Sequence, residues 1–192
     1  MALRVLVVDG DAGRAGCVVE ALAEAGYLVA SVLETGTDLY AKVREVQPDV
    51  IIIDMDSPDR DILEHLHGIH RDDPRAIVMF CQDDASETIS AAVKAGVSAY
   101  VVDGLHPHRI KPILQTAVAR FQDFQALRRE LTETKTTLAE RKILDRAKGI
   151  LMKQRGMSEE EAYQALRKLA MNRNKRIVEV ADGVIAAAEL LG

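Results

Sequence analysis

Short apolar runs alternate with amphipathic segments over the first 120 residues of the chain. The apolar runs are Val5–Val8, Leu28–Leu33, Val50–Ile53, Ile77–Phe80 and Tyr100–Val102. Their length and their branched residues are typical of strands buried on both faces. The segments between them carry apolar residues at helical spacing. Strands that alternate with helices predict an α/β fold, a doubly wound five-stranded parallel sheet.

The pattern changes near Pro107, from which one continuous helix is predicted up to Gly156, with Pro112 close to its start. Apolar residues recur along this segment at three-, four- and seven-residue steps, a narrow seam of the coiled-coil type. The seam comprises Phe121, Phe124, Leu127, Leu131 and Leu138. It is expected either to form a homodimer or to pack against the rest of its own chain.

Two further helices are predicted after Gly156, which fits a C-cap. Ser158 and Glu161 have the spacing of a capping box at the start of the first. With the end of the long helix, these helices predict a three-helix bundle with one small core. The expected core residues are Ile150, Leu151, Met157, Ala162, Leu166, Ala170 and Ile177.

Charge is distributed unevenly along the chain. Residues 1–119 carry 10 Lys and Arg against 19 Asp and Glu, whereas residues 141–192 carry 11 against 7. A basic segment of this kind can attract a phosphate backbone, although it can also be a solvated helix face. The candidate nucleic-acid-binding cations are Lys142, Arg146, Lys148, Lys153, Arg155, Arg167, Lys168, Arg173, Lys175 and Arg176.

Tyr163 is the one aromatic residue near these cations. Modules that bind single strands stack several bases on successive aromatic rings. A segment with so few rings is better suited to a folded hairpin.

The composition of the chain argues against several classes of protein. No run approaches the roughly 20 apolar residues that span a membrane, and the first residues lack a signal-peptide cleavage site, so a cytoplasmic protein is expected. Cys17 and Cys81 lie far apart in the sequence, so neither a disulfide nor a zinc site is expected. The five histidines are interpreted as surface residues. Because no nucleophile–base set, phosphate-binding loop or metal cluster appears, an enzyme is not expected.

Acidic residues follow the predicted strands. Asp9 and Asp11 come after the first strand, Asp54 and Asp56 after the third, and Cys81, Asp83 and Asp84 after the fourth. In a doubly wound sheet, functional groups gather beyond the carboxyl ends of the strands. An acidic pocket beside Asp54 is therefore expected, and its predicted residues are Asp9, Asp11, Asp56, Cys81 and Asp103.

Residues 3–120 resemble the receiver domain of two-component response regulators. The resemblance rests on Val8-Asp9, Ile53-Asp54 and Asp56-Ser57-Pro58. The resemblance implies a flavodoxin-like fold in which Asp54 accepts a phosphoryl group. It also implies a magnesium ion held by Asp9 and Asp54, although no cofactor is required for the function expected here.

The chain departs from the receiver pattern at three positions. Gly10 stands where the family has a second acidic residue, with Asp11 one step away. Cys81 replaces the Ser or Thr hydroxyl that would contact the phosphoryl group, and a thiol is a weak donor. Asp103 replaces a Lys, so that a carboxylate would repel the phosphoryl group. A receiver retained as a docking surface is the alternative to phosphorylation of Asp54.

The last 55 residues resemble the ANTAR module of transcription antiterminators, a three-helix RNA-binding unit. The resemblance rests on residues 147–152, on Gly156-Met157-Ser158 and on Glu161-Ala162, with Leu166 and Ala170-Met171 beyond them. A receiver-like domain at 1–120, a coiled-coil linker at 121–140 and an ANTAR domain at 141–192 are therefore expected.

Residues 54–59, residues 98–105 and the tail resemble the NasT-like regulators of nitrate assimilation. This resemblance implies antitermination on paired leader hairpins, under the control of a nitrate-sensing protein. Two alternatives stay open. One is an ANTAR regulator of another pathway controlled by phosphorylation of Asp54, and the other is a receiver-based protein-interaction module that does not bind RNA.

Overall fold

The computed structural model describes residues 2–10, 12–102 and 106–191, without the side chains of residues 12–15, 17, 107 and 191. Strands and helices alternate up to the long helix. The elements are β1 (Arg4–Asp9), α1 (Ala12–Glu24), β2 (Leu28–Glu34), α2 (Leu39–Val46), β3 (Val50–Asp54), α3 (Arg60–Asp72), β4 (Ala76–Cys81), α4 (Ser86–Lys94), β5 (Ala99–Val102), α5 (Pro107–Arg155), α6 (Glu159–Arg173) and α7 (Ile177–Leu191).

The five strands form one parallel sheet in the order β2-β1-β3-β4-β5. All residues of β3 and β4 are buried, as their continuous apolar runs predict. One face of the sheet packs against α2, α3 and α4, and the other packs against α1 and the first turns of α5. The predicted doubly wound fold is confirmed.

Two compact units divide the chain, Met1–Gln125 and Ala126–Gly192, and α5 contributes residues to both. In the first unit, Ile110, Leu114 and Ala117 of α5 are buried against the sheet. Phe121 is half-buried in the same cluster. Four residues of the predicted seam, Phe124, Leu127, Leu131 and Leu138, are instead 52–64% exposed within the single chain.

The second unit has its own core between α5, α6 and α7. Ala147, Leu166 and Ala181 are its most buried residues. Gly156 ends α5 with φ of +66°, and its N–H donates to the Met152 carbonyl at 3.0 Å. The predicted capping box is present, because the Ser158 hydroxyl accepts from the Glu161 N–H and the Glu161 carboxylate accepts from the Ser158 N–H.

Two histidines differ from their prediction as surface residues. His65 and His70 are only half-exposed. Gly96 adopts φ of +104°, and a Cβ there would lie 2.5 Å from the His70 Cβ. His70 therefore packs into a space that a side chain at position 96 would fill.

Candidate acidic site and nucleic-acid interface

The carboxyl ends of β1 and β3 bring two carboxylates together. Asp9 and Asp54 are register partners on these neighbouring strands, and each is 3% exposed. The parallel alignment causes this juxtaposition, since both strands end at the same edge of the sheet. The phosphoacceptor position and the first acidic residue of the predicted pocket are thus adjacent.

Backbone hydrogen bonds join the loop after β3 to the loop after β4. The Asp56 carbonyl accepts from the N–H groups of Gln82 and Asp83, at 3.0 and 3.1 Å. The Asp56 residue itself is exposed. Its backbone ties the two loops together, and its carboxylate is near enough to Cys81 to contribute to the raised pKa of that thiol.

Asp83, which sequence reasoning left out of the pocket, is the best-connected carboxylate of these loops. It accepts from the Ser57 hydroxyl at 2.7 Å, the Ala85 N–H at 2.9 Å and the Thr88 hydroxyl at 3.0 Å. These donors lower the pKa of Asp83 below its ordinary value, with the Ala85 N–H as the largest cause. Its position two residues before Ala85 is the spacing of an Asx turn, a signal that the sequence did carry.

Cys81 lies at the end of β4 and is fully buried. Burial raises the pKa of its thiol, and the nearby carboxylates of Asp54, Asp83 and Asp56 raise it further. Cys81 is therefore protonated at neutral pH, and a thiol is a weak hydrogen-bond donor. The Tyr100 hydroxyl donates to the Asp83 carbonyl at 2.8 Å, and burial raises the pKa of this phenol.

The remaining pocket residues predicted from the sequence, Asp11 and Asp103, lie outside the described residues. Within the part of the chain that the structure describes, no group of three or more His, Cys, Asp or Glu could hold a metal ion. Asp9 and Asp54 offer two adjacent carboxylates at the carboxyl ends of β1 and β3. One or two carboxylates, completed by water and phosphate oxygens, are an ordinary protein contribution to a magnesium site.

Three of the ten predicted RNA-binding cations are engaged in ion pairs. Lys148 pairs with Asp145 at 2.8 Å and with Glu159 at 2.7 Å, and its side chain is only 16% exposed. The Asp145 and Glu159 carboxylates raise the pKa of Lys148. Arg146 pairs with Glu189 at 2.7 Å and Arg176 with Glu140 at 2.5 Å. These three cations connect helices of the second unit.

The other seven cations are exposed, and they make no ion pair with another described residue. They are Lys142, Lys153, Arg155, Arg167, Lys168, Arg173 and Lys175. Such charges are more available to an external anion than paired ones, because no described carboxylate lies within ion-pair distance of them.

Two of these seven cations meet at one groove of about 360 Å³, here called the basic groove. Its floor includes Leu151, Leu169 and Val184, from α5, α6 and α7. Its rim carries Arg155, Lys168 and Asn172. Sequence reasoning did not include Asn172 among the functional residues.

A second groove of about 610 Å³ lies between α5 and α6, here called the tyrosine groove. Tyr163, which is 41% exposed, lines it together with Gly149. The carboxylates of Glu140, Asp145 and Glu159 line it as well. Its lining is therefore far less favourable to an anion than that of the basic groove.

Both parts of the chain match known families. The response regulator receiver domain model matches residues 5–115, and the ANTAR domain model matches residues 132–185. The first match covers more than half of the chain, which therefore belongs to the response regulator receiver family. The parallel sheet, with Asp9 and Asp54 adjacent at the carboxyl ends of β1 and β3, agrees with this family assignment. With its C-terminal ANTAR domain, the chain is an ANTAR response regulator.

Individual proteins support both assignments. The chain is 29% identical over 182 residues to the transcriptional regulatory protein PdtaR of Mycobacterium tuberculosis, covering 95% of this chain and 89% of that protein. It is 40% identical over 80 residues to the nitrate regulatory protein of Klebsiella oxytoca, covering 42% of this chain and 20% of that protein.

A solved CheY-like response regulator receiver domain protein from Methanospirillum hungatei has the same receiver fold. Its TM-score is 0.56 at 22% identity, and the match covers 64% of this chain and 98% of that one. Among the described residues, no helix is both long enough and apolar enough to cross a membrane.

Proposed function

We propose that this ANTAR response regulator is a transcription antitermination factor that binds paired RNA hairpins in leader transcripts. By stabilising those hairpins, it prevents the competing terminator stem from forming. The observation that carries the proposal is the set of seven exposed cations of the second unit, each without an ion pair to a described residue. Phosphate contacts supply much of the affinity for nucleic acid.

The side chains of the second unit favour structured RNA over an extended single strand. Tyr163 is the one aromatic side chain described there, and it lies in the groove that also carries three carboxylates. A row of stacked bases needs several rings. The cations instead suit the phosphates of hairpin stems and their loops.

Nitrate or nitrite assimilation genes are the proposed targets, and a ligand-sensing protein is the proposed controlling partner. The likeness to the nitrate regulatory protein of Klebsiella oxytoca supports the pathway. The acidic pocket supports control by a protein. Cys81 is a weak donor surrounded by carboxylates, a poor environment for stabilising a phosphoryl group.

In this proposal the protein acts without catalysis, on nascent transcripts in the cytoplasm. A magnesium ion between Asp9 and Asp54 would neutralise two adjacent carboxylates but is not required for RNA binding. A homodimer through the exposed Phe124, Leu127, Leu131 and Leu138 would present two RNA-binding units, one for each hairpin.

Control by phosphorylation of Asp54 is the second candidate, favoured by the adjacency of Asp9 and Asp54 at the strand ends. Treatment with a small phosphodonor, followed by RNA binding, separates the two candidates. Under the first proposal, the phosphodonor does not change the RNA affinity of the wild type, and Asp54→Ala binds RNA as tightly as the wild type does. An increase in the wild type that Asp54→Ala abolishes would establish the phosphorylation-controlled regulator.

RNA binding itself is tested with the full chain and a pool of two-hairpin RNAs whose loops are randomised. The controls are loop-free duplex RNA and duplex DNA at matched salt. Enrichment of hairpin pairs over both duplexes supports the antitermination factor. Equal, weak binding to all three nucleic acids would contradict the proposal. It would favour a receiver-based protein-interaction module that does not bind RNA.

A further inference from the structure

A groove of about 790 Å³ lies between α3 and α4 of the first unit, here called the α3–α4 groove. It is lined from residues 60–71 of α3 and from residues 91–95 of α4. The lining residues of α3 share one face of that helix over three turns, which gives the groove a length of about 16 Å. None of them belongs to the acidic pocket.

Small and apolar residues form the middle of this groove. Gly68 of α3 and Ala91 and Ala95 of α4 line it, beside the half-buried Leu63. The distance between packed helices depends on the side chains at their contact, so small residues let a further helix approach closely. An amphipathic helix that lays its apolar face into such a groove is a common mode of peptide recognition.

The edges of the α3–α4 groove are basic, although the surrounding unit is acidic. Arg60, Arg71 and Lys94 line the groove with one carboxylate, that of Glu64. Residues 1–119 carry 10 Lys and Arg against 19 Asp and Glu. The surrounding surface therefore repels a long polyanion such as RNA. A short segment with a few carboxylates meets mainly the charges of the groove, because salt screens exposed charges beyond about 8–10 Å.

The basic edge residues are available to a partner. Arg60 pairs with Glu64 and Arg71 with Asp72, both at 2.7 Å, but these side chains are 37–89% exposed. Ion pairs as exposed as these contribute little to stability, so either arginine can exchange its carboxylate for one of a partner. Lys94 is exposed and makes no ion pair with another described residue.

We propose that the α3–α4 groove is the docking surface for an acidic amphipathic helix of a partner protein. The apolar face of that helix packs on Leu63 and Ala91. Its flanking carboxylates pair with Arg71 and Lys94. This inference deepens the proposed control by a partner protein and rests on that part of the proposed function, but it does not depend on RNA binding.

The probe is a phage-displayed library of four-turn helical peptides, selected on the full-length wild type. We expect the enriched peptides to carry apolar residues at i, i+3 or i+4, and i+7, with Asp or Glu beside them. Amide chemical shifts of the chain, recorded with one enriched peptide, should change at residues 60–71 and 91–95. Enrichment without the acidic and apolar pattern, or shift changes centred on other elements, would contradict the docking surface.

Charge reversal tests the edge of the groove. Arg71→Glu combined with Lys94→Glu should weaken binding of the selected peptide by about tenfold or more, since like charges placed together at an interface are unfavourable. Arg109→Glu combined with Lys111→Glu is the matched control. These two residues are exposed cations of the same unit that do not line the groove, so the control should bind the peptide as the wild type does.

A peptide in which Lys replaces the acidic residues completes the test. It should bind the wild type weakly and regain affinity for the variant with Arg71→Glu and Lys94→Glu. A misfolded variant would show no such recovery. Equal weakening by the groove and control variants, or no recovery with the Lys peptide, would overturn the inference.

Hairpin binding by the same wild-type preparation separates this inference from antitermination. If hairpin pairs are bound but no peptide docks in the groove, the docking surface is wrong while RNA binding stands. If the peptide docks and no hairpin is bound, antitermination fails while the docking surface stands.

Discussion

The acidic loops of the receiver unit and the basic surface of the second unit use charge in opposite ways. Asp83 accepts three hydrogen bonds from its own unit and so fixes the loops after β3 and β4. In the second unit, seven cations remain exposed without an ion pair to a described residue. Charge that is already paired holds local structure, whereas charge that is unpaired is available to a partner.

The same contrast exists within the second unit. Lys148, Arg146 and Arg176 pair with carboxylates across helices, while Arg155 and Lys168 line a groove in which no described lining residue is a carboxylate. Two sets of cations, alike in sequence, thus have different surroundings in the folded chain. A count of basic residues overestimates the charge that remains available to an external anion.

The largest expected effect tests whether the two units are independent. Leu166 is 1% exposed in the small core of the second unit, so Leu166→Ala should cost about 2–5 kcal/mol of unfolding free energy. That loss is a large fraction of the stability of a small domain. Hydrogen exchange should show lost protection in α6 and α7 with β3 and β4 unchanged.

Leu127→Ala is the control for this experiment, because Leu127 is 64% exposed. It should leave protection in both units unchanged at low protein concentration. A loss of protection in β3 and β4 of the Leu166→Ala variant would contradict independent units.

The second-largest expected effect is on hairpin binding, and it compares unpaired with paired cations. Changing Arg155, Arg167 and Lys168 together to Ala should weaken hairpin binding by roughly tenfold or more and lower the salt slope by about 2–3. Changing Arg146, Lys148 and Arg176 together removes the same formal charge. It should alter the slope less and lower the melting temperature more, since it breaks contacts between helices.

Binding measured across a salt series, together with thermal unfolding of both triple variants, checks this prediction. Equal slopes for the two triples would mean that pairing in the free protein does not decide which cations meet RNA.

A smaller effect is expected at the start of α6. Ser158→Ala removes one half of the capping box and should destabilise the second unit by about 1 kcal/mol. Ser158→Asp retains a side-chain acceptor and should recover most of the loss. Urea unfolding monitored on the second unit measures both. An Ala variant as stable as the wild type would show that the box contributes nothing.

The smallest effect concerns pH and the receiver unit alone. Because hydrogen bonds lower the pKa of folded Asp83 below its unfolded value, they contribute stability above that unfolded value. The contribution is lost as the pH falls through the folded pKa. The difference in melting temperature between wild type and Asp83→Asn should therefore be constant above about pH 5 and shrink below about pH 4. A difference independent of pH would contradict this role of Asp83.

Local patterns account for much of what could be predicted. The five strands and the long helix follow from apolar periodicity, and the ends at Gly156 and Ser158 follow from residue types with specific backbone roles. These signals depend on neighbours within a few residues. The half-buried His70 was not predictable in this way, because its packing depends on Gly96, far away in the sequence.

The sequence by itself determined the alternation of strands and helices, the caps, the position of Asp54 and the basic character of the C-terminal end. Only the tertiary structure decided which charges remain available. Arg146 meets Glu189 and Arg176 meets Glu140 across 43 and 36 residues. The convergence of Arg155, Lys168 and Asn172 likewise requires the packing of α5 against α6. An ion pair or a groove depends on distances between side chains, and folding sets those distances between residues far apart in the sequence.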